Sequence, residues 1–284
     1  MPSPTVGRRR LGIELRKLRE QSNLTMEKVA KETGLSEPTI SRVENGKRAL
    51  KPVELRGIMA LYGITDPIQQ ERLQDMAKVA AEDGWWDRYN DVLPSGLGSY
   101  VGLEAEARAL RSFTDRIIHG LLQTPDYARA IIKACDPRLS PDVVDQLVEV
   151  RIQRQQILHT KRPPLLRAIV DESAVRRPIG GARVMEAQLR HLTGVTQSPD
   201  ITLQVMPFRQ GAHAGLDGSF ALIEFADPDV QQHVYVESVA GNIFLQKRQV
   251  VAEFRERFDL LQMAALSPQE SEALISTIAK EFRE

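Results

Sequence analysis

The amino-acid sequence predicts two domains of different class: an all-α domain at the N-terminus, then an α+β (or α/β) domain with a small, mainly four-stranded sheet. Three observations lead there. Up to residue 65 the apolar residues recur at helical spacing, with helix caps and turn glycines between the runs. Beyond residue 99 helical and alternating periods occur together, as they do where helices pack on a sheet. The charge divides at the same place. The 284-residue chain is neutral, with 38 basic and 38 acidic residues, but residues 1–65 hold 13 Lys/Arg against 7 Asp/Glu, and the remainder holds 25 against 31.

In Leu24–Arg48, Thr25 is a suitable N-cap for a short helix, and Glu27 in its first turn suits the positive end of the helix dipole. Val29 and Ala30 form its apolar stripe, and Gly34 stands where a left-handed C-terminal cap needs no Cβ. Ser36 caps a second helix, with the N–H of Thr39 as its expected partner. Pro38 lies in the first turn, where its missing N–H is harmless, and Asn45-Gly46 ends the helix. Two short helices joined by a tight glycine turn form a helix-turn-helix, which places its second helix in a DNA major groove. Ile40 and Val43 mark that helix's buried side. Stepping about 100° per residue puts Pro38, Ser41, Arg42 and Asn45 opposite, flanked by Glu37 and Thr39, with Glu44 turned inward. The expected base-reading set is Glu37, Pro38, Thr39, Ser41 and Arg42. The expected backbone set is Ser36, Asn45, Lys47, Arg48 and Lys51, since clustered positive charge neutralises phosphates. The triplet Arg8-Arg9-Arg10 is either a further phosphate contact or a solvated charge run.

Residues 8–65 resemble the Cro/phage-repressor (XRE) helix-turn-helix domain, through the T-I-S-R-V-E-N-G run from Thr39 to Gly46. The resemblance implies a bundle of about five helices. The first is Arg8–Gln21 with Leu11, Leu15 and Leu18 inward, the fourth lies near Pro52–Tyr62, and the fifth follows Asp66-Pro67. It also implies an ion pair between Arg19 and Glu44. Met26 departs from the family, which commonly places a phosphate-gripping glutamine there, and Glu37 and Pro38 replace its usual polar readers.

Residues 66–98 read as helix and linker. Asp66-Pro67 opens a helix to about Ala81, Trp85 and Trp86 suit a hydrophobic anchor at a domain edge, and Leu93–Tyr100 has loop composition. In 99–284 the helical candidates are Val101–Phe113, Pro125–Cys135, Pro141–His159, Ala182–Gln197, Gln246–Ala265 and Pro268–Phe282. The strand candidates are Leu165–Val170, Ile201–Pro207, Ser219–Phe225 and His233–Glu237.

Chemical signatures are few. The single cysteine, Cys135, excludes an internal disulfide framework and a multi-cysteine zinc site, and the five histidines show no ligand spacing. No apolar run is long enough to span a bilayer and the N-terminus lacks a signal-peptide stretch, so a cytoplasmic protein is expected. Asp171-Glu172 and Glu237 end strands, where carboxylates either bind metal or act as acid/base groups, or else cap helices and pair with Arg176 or Arg177. The glycine-rich Gly211–Gly218 lacks the spacing of a phosphate loop. The expectation is no catalysis, no cofactor and no metal. An enzyme domain carried by a DNA-binding head is the alternative, with Asp171, Glu172, His213 and Glu237 as its first candidates.

Five segments extend the resemblance: Val101–Ala107, Gly120–Ile131, Asp171–Gly181, Pro207–Phe220 and Tyr235–Ser238. They are similar to actinobacterial regulators, the WhiJ-type among them, that join an XRE head to a large C-terminal domain. That likeness implies a small protein partner encoded nearby and an antitoxin-like role; His119 stands where that family usually has proline. In Gly120–Ile131, Leu121 and Leu122 suit a hydrophobic staple. Gln123, Tyr127 and Arg129 are expected to face a partner or effector, as amphipathic interface residues do. Double-stranded operator DNA, bound by a homodimer on two half-sites, completes the expected set of partners.

Overall fold

The computed structural model describes residues 6–81, 84–227, 230–238 and 241–283. The chain forms two compact units: Met1–Asp91 with Gly96–Glu106 and Asp227–Val230, and Val92–Ser95 with Ala107–Ala226 and Gln231–Glu284.

The first unit is helical: α1 (Val6–Gln21), α2 (Met26–Thr33), α3 (Glu37–Glu44), α4 (Pro52–Leu61), α5 (Pro67–Ala81), a 3₁₀ turn (Trp85–Tyr89) and α6 (Leu97–Ala105). Leu11, Leu15 and Leu18 of α1 recur at i, i+4 and i+7, so they share one face and meet Val29, Ile40, Val43, Leu55, Ile58 and Leu73 in a single core. Gly12 lets α1 close onto the end of α3, because a Cβ there would lie 2.5 Å from the carbonyl oxygen of Val43. Trp86 is buried, and Trp85 meets it edge-on at 5.7 Å.

The second unit is a mixed six-stranded sheet with helices. Its strands are β1 (Ala109–Thr114), β2 (Leu165–Asp171), β3 (Ile201–Met206), β4 (Phe220–Glu224), β5 (His233–Ser238) and β6 (Gly241–Leu245), in the order β3-β2-β1-β4-β5-β6. The first three are parallel, with Thr114 opposite Val170 and Val170 opposite Val205. The connections between parallel strands hold α7 (Pro125–Cys135) and α8 (Pro141–Gln155), then α9 (Glu172–Arg176) and α10 (Ala182–Val195). The other three strands add antiparallel. α11 (Arg248–Ala264) covers one face, where Val251, Phe258 and Leu261 meet Phe113, Ile169, Met206, Phe220, Leu222 and Val234. On the opposite face Leu110, Leu166, Ala168 and Val170 are equally buried. α12 (Pro268–Glu281) seals the β3 edge, where the Val205 N–H donates to Ser271 Oγ at 2.9 Å and the Leu266 N–H donates to the Val205 carbonyl at 2.9 Å.

Two expectations are corrected. Val101–Phe113 is not one helix: α6 ends at Ala105, and β1 takes Ala109–Thr114 between two neighbours, with Leu110 and Phe113 wholly buried. Pairing on both edges overrides the helix propensity of an Ala- and Leu-rich run. The sheet has six strands rather than four because β1 was hidden this way, and because the five-residue β6 carries Gly and Asn, which signal a turn.

Candidate nucleic-acid interface

The α2–turn–α3 segment is fixed by its local chemistry. Thr25 Oγ1 accepts the Lys28 N–H at 3.1 Å, and Gly34 adopts the left-handed conformation (φ 72°) that turns the chain. Ser36 differs from expectation: its hydroxyl bonds to the Thr39 hydroxyl at 2.9 Å, while the Thr39 N–H donates to the Ser36 carbonyl at 2.8 Å. The Ser36 hydroxyl is taken up by the Thr39 side chain, and the first-turn amide is satisfied by the Ser36 carbonyl instead.

Ile40, Val43 and Glu44 are the buried residues of α3. Ser36, Glu37, Pro38, Arg42 and Asn45 are exposed, and Thr39 and Ser41 are half-buried beside them. Arg42 lies along its own helix, its Nε donating to the Pro38 carbonyl at 3.1 Å and its Nη2 to Thr39 Oγ1 at 3.4 Å. Both bonds are exposed, so the guanidinium can exchange them for the paired acceptors on a guanine edge. Asn45 Nδ2 donates back to the Ser41 carbonyl at 2.8 Å.

The helix is held by a buried ion pair. Arg19 Nε and Nη2 donate to the two carboxylate oxygens of Glu44 at 2.6 and 2.9 Å, and Nη1 donates to the Leu24 carbonyl at 2.9 Å. The hydrogen bond to Glu44 holds the Arg19 pKa above its usual value against the opposing effect of burial. Burial, reinforced by the Glu44 charge, pushes the nearby Tyr62 hydroxyl up to about 12.

The cations behind α3 differ in freedom. Lys47 and Lys51 are exposed, whereas Arg48 makes a two-pronged bond to Glu54 at 2.8 and 3.1 Å. The Lys51 N–H also donates to Glu54, at 2.9 Å. Burial alone would raise the Glu54 pKa, but these bonds outweigh it and hold the carboxyl below its ordinary value. The arginine triplet is mostly structural: Arg8 is buried with Nε on the Ala80 carbonyl at 2.9 Å, and Arg9 has a buried Nε and a pKa lowered by burial. Arg10 is exposed and lies 3.5 Å from Asp227.

The second unit corrects the expected partner residues. Tyr127 is fully buried, and its hydroxyl accepts the Ile118 N–H at 3.2 Å. Burial pushes that hydroxyl up to about 12. Gln123 is 1 % exposed: its Nε2 donates to the Ile118 carbonyl at 2.6 Å, and its Oε1 accepts from Arg151 at 2.8 Å. Arg129 alone of the three reaches solvent, half-buried, and it pairs with Asp145 on α8. Leu121, Leu122, Gln123 and Tyr127 therefore form a buried hydrogen-bonded knot within Gly120–Ile131, while Pro125 and Asp126 are exposed. Gln188 and Gln155 complete it, with Gln188 Nε2 on the Leu122 carbonyl at 2.7 Å and Gln155 Nε2 on the Gln123 carbonyl at 2.7 Å. Sequence reasoning passed over both glutamines, since an isolated polar residue on a helix carries no signal of its burial. Of the strand-end carboxylates, Asp171 caps α9 through the Ser173 N–H at 2.9 Å, and Glu172 binds Arg176 at 2.7 Å. Glu237 sits exposed near the end of β5.

Among the described residues no helix is long and apolar enough to cross a membrane. Residues 10–73 match the family model described as a helix-turn-helix domain, which accords with DNA binding. No protein among the curated sequences matches the chain. Residues 97–277 match the family model described as a domain of unknown function (DUF5753), which covers more than half of the chain. The chain belongs to the DUF5753 family, and it carries a helix-turn-helix domain ahead of that family's defining region.

Proposed function

We propose that the chain is a cytoplasmic, sequence-specific transcriptional regulator of the XRE type. In this reading it binds operator DNA as a homodimer, and its C-terminal unit receives a regulatory input. One observation carries the reading: α3 buries Ile40 and Val43 and exposes Glu37, Pro38 and Arg42, on the domain that holds the positive excess of a neutral chain. A buried face fixes the helix, an exposed polar face reads bases, and the surrounding cations neutralise phosphates.

The input on this reading is a small protein partner, as in the WhiJ-type, antitoxin-like regulators whose motifs the chain shares. Phe208, Leu216, Leu260 and Met263 are exposed apolar side chains of the second unit, whereas Tyr127 and Gln123 are buried. No catalytic step is assigned. Glu172, one of the first candidates for acid/base work, has both oxygens committed, one to Arg176 and one to the Phe208 N–H at 2.7 Å. Selection from a random duplex library tests the reading. It expects a pseudo-palindromic motif with half-sites about one helical turn (10 bp) apart, or a multiple of that; a pool that stays random through successive rounds contradicts it.

A further inference from the structure

In the first unit α5 buries Leu73 and Ala80 and leaves another side of the helix uncovered. Stepping about 100° per residue places Ile68, Arg72, Asp75 and Val79 within about 60° of one another on that side. All four are exposed, Ile68 by 77 % and Val79 by 56 %. Half-buried Met76 stands between this row and the core. A groove of about 530 Å³ runs beside the row, and Gly7, Arg10 and Glu106 complete its lining within the same unit.

The charges around the groove have both signs. Arg10 lies 3.5 Å from Asp227, Glu106 accepts the Gly7 N–H at 3.3 Å, and Asp75 accepts from Lys78 at 2.8 Å. Asp75 and Lys78 are both exposed, so the carboxylate can take a second donor. Arg72 has no hydrogen bond or ion pair to another described residue. A mixed surface of this kind has no net attraction for a polyanion such as DNA.

The order of the row specifies its occupant. Ile68 and Val79 are centred on the same point as Arg72 and Asp75, midway between Leu73 and Gln74. A second copy of α5 laid antiparallel across a two-fold axis at that point sets Ile68 of each chain against Val79 of the other. It also sets Arg72 of each chain against Asp75 of the other. Glu71 and Lys78 flank the row on one shared edge, so each also approaches the opposite charge on the second copy. A parallel copy would oppose arginine to arginine and aspartate to aspartate. The apolar ends supply area to bury, and the charges between them fix direction and register.

We propose that this face of α5 is a homodimer interface, packed antiparallel on the same face of a second copy. The inference rests on the homodimer reading above and deepens it by naming the surface. The test is sedimentation equilibrium of the full chain without DNA. The wild type is expected to dimerise with a Kd below about 100 µM. Arg72→Asp and Asp75→Arg each weaken the dimer at least about tenfold, because each opposes like charges twice across the axis. An equimolar mixture of the two variants forms a dimer at least about tenfold tighter than either variant alone, since one copy then offers two acids and the other two bases. Both positions are exposed, and an unchanged thermal unfolding midpoint shows that the fold is kept. Should either variant fail to fold, Ile68→Ser takes its place and weakens the dimer at least about tenfold. A wild-type dimer that is indifferent to these substitutions, or variants that do not recover on mixing, overturn this face and leave the homodimer reading standing. A wild type that is monomeric at about 100 µM overturns both. Failure to select a DNA motif leaves this face untouched.

Discussion

Removing the carboxylate of Glu44 tests the frame behind α3. Arg19 and Glu44 have side chains 9 % and 6 % exposed, and three hydrogen bonds satisfy the guanidinium. In Glu44→Ala, Arg19 keeps the Leu24 carbonyl and a long 3.8 Å contact to the exposed Glu20 carboxylate, so a buried cation loses its near countercharge and two bonds. Breaking such a pair costs about 3–5 kcal/mol, a large share of a small domain's stability. Glu44→Gln preserves shape and one acceptor and is expected to cost about 1–3 kcal/mol. Arg19→Met with Glu44→Leu removes both charges together and recovers most of the loss, because desolvation offsets much of the Coulomb gain in a buried pair. The assay is urea unfolding followed by tryptophan fluorescence. Trp85 and Trp86, the only tryptophans of the chain, both lie in the first unit and report on it selectively. A Glu44→Ala loss below about 1 kcal/mol would show that the pair is no stronger than a surface contact and refute this reasoning.

Other outcomes follow from the same geometry. Lys47→Ala is expected to lower the salt-dependence slope of DNA affinity by about one unit, and Arg48→Ala by less because Glu54 already holds Arg48; equal slopes from a salt titration would contradict that ranking. Tyr127→Phe leaves the Ile118 N–H without its acceptor and is expected to cost about 1–3 kcal/mol in thermal or urea unfolding, with operator affinity unchanged. The Glu54 pKa is held below its ordinary value, so its stabilising contribution is full above the unfolded value near 4.3 and is lost as pH falls through the lower folded value. Glu54→Gln should therefore flatten the acid limb of first-unit stability below about pH 4.3, and an unchanged limb from fluorescence-monitored unfolding would remove the assignment.

Most features decided within one helical turn are legible, the Ser36 cap being the exception. The Thr25 cap, the Gly34 turn and the inward side of α3 follow from residue type and spacing, and the structure shows each of them. Features decided by distant neighbours were not. The run that forms β1 has the composition of a helix, and only pairing with both β2 and β4 makes it a strand. Tyr127 and Gln123 have side chains that suit an interface equally well, and only Ile118 and Arg151 show that they are interior. Arg48 reads as a free cation until α4 brings Glu54 against it.

The central claim is that the exposed face of α3 reads sequence, and Arg42→Ala tests it most directly. Affinity of wild type and variant is measured at one salt concentration on the selected site and on a random duplex of equal length. The account predicts a loss of about 1–3 kcal/mol, roughly fivefold to 150-fold, on the selected site and a clearly smaller loss on the random duplex. Equal losses on both would mean that Arg42 touches only phosphate and would contradict the claim.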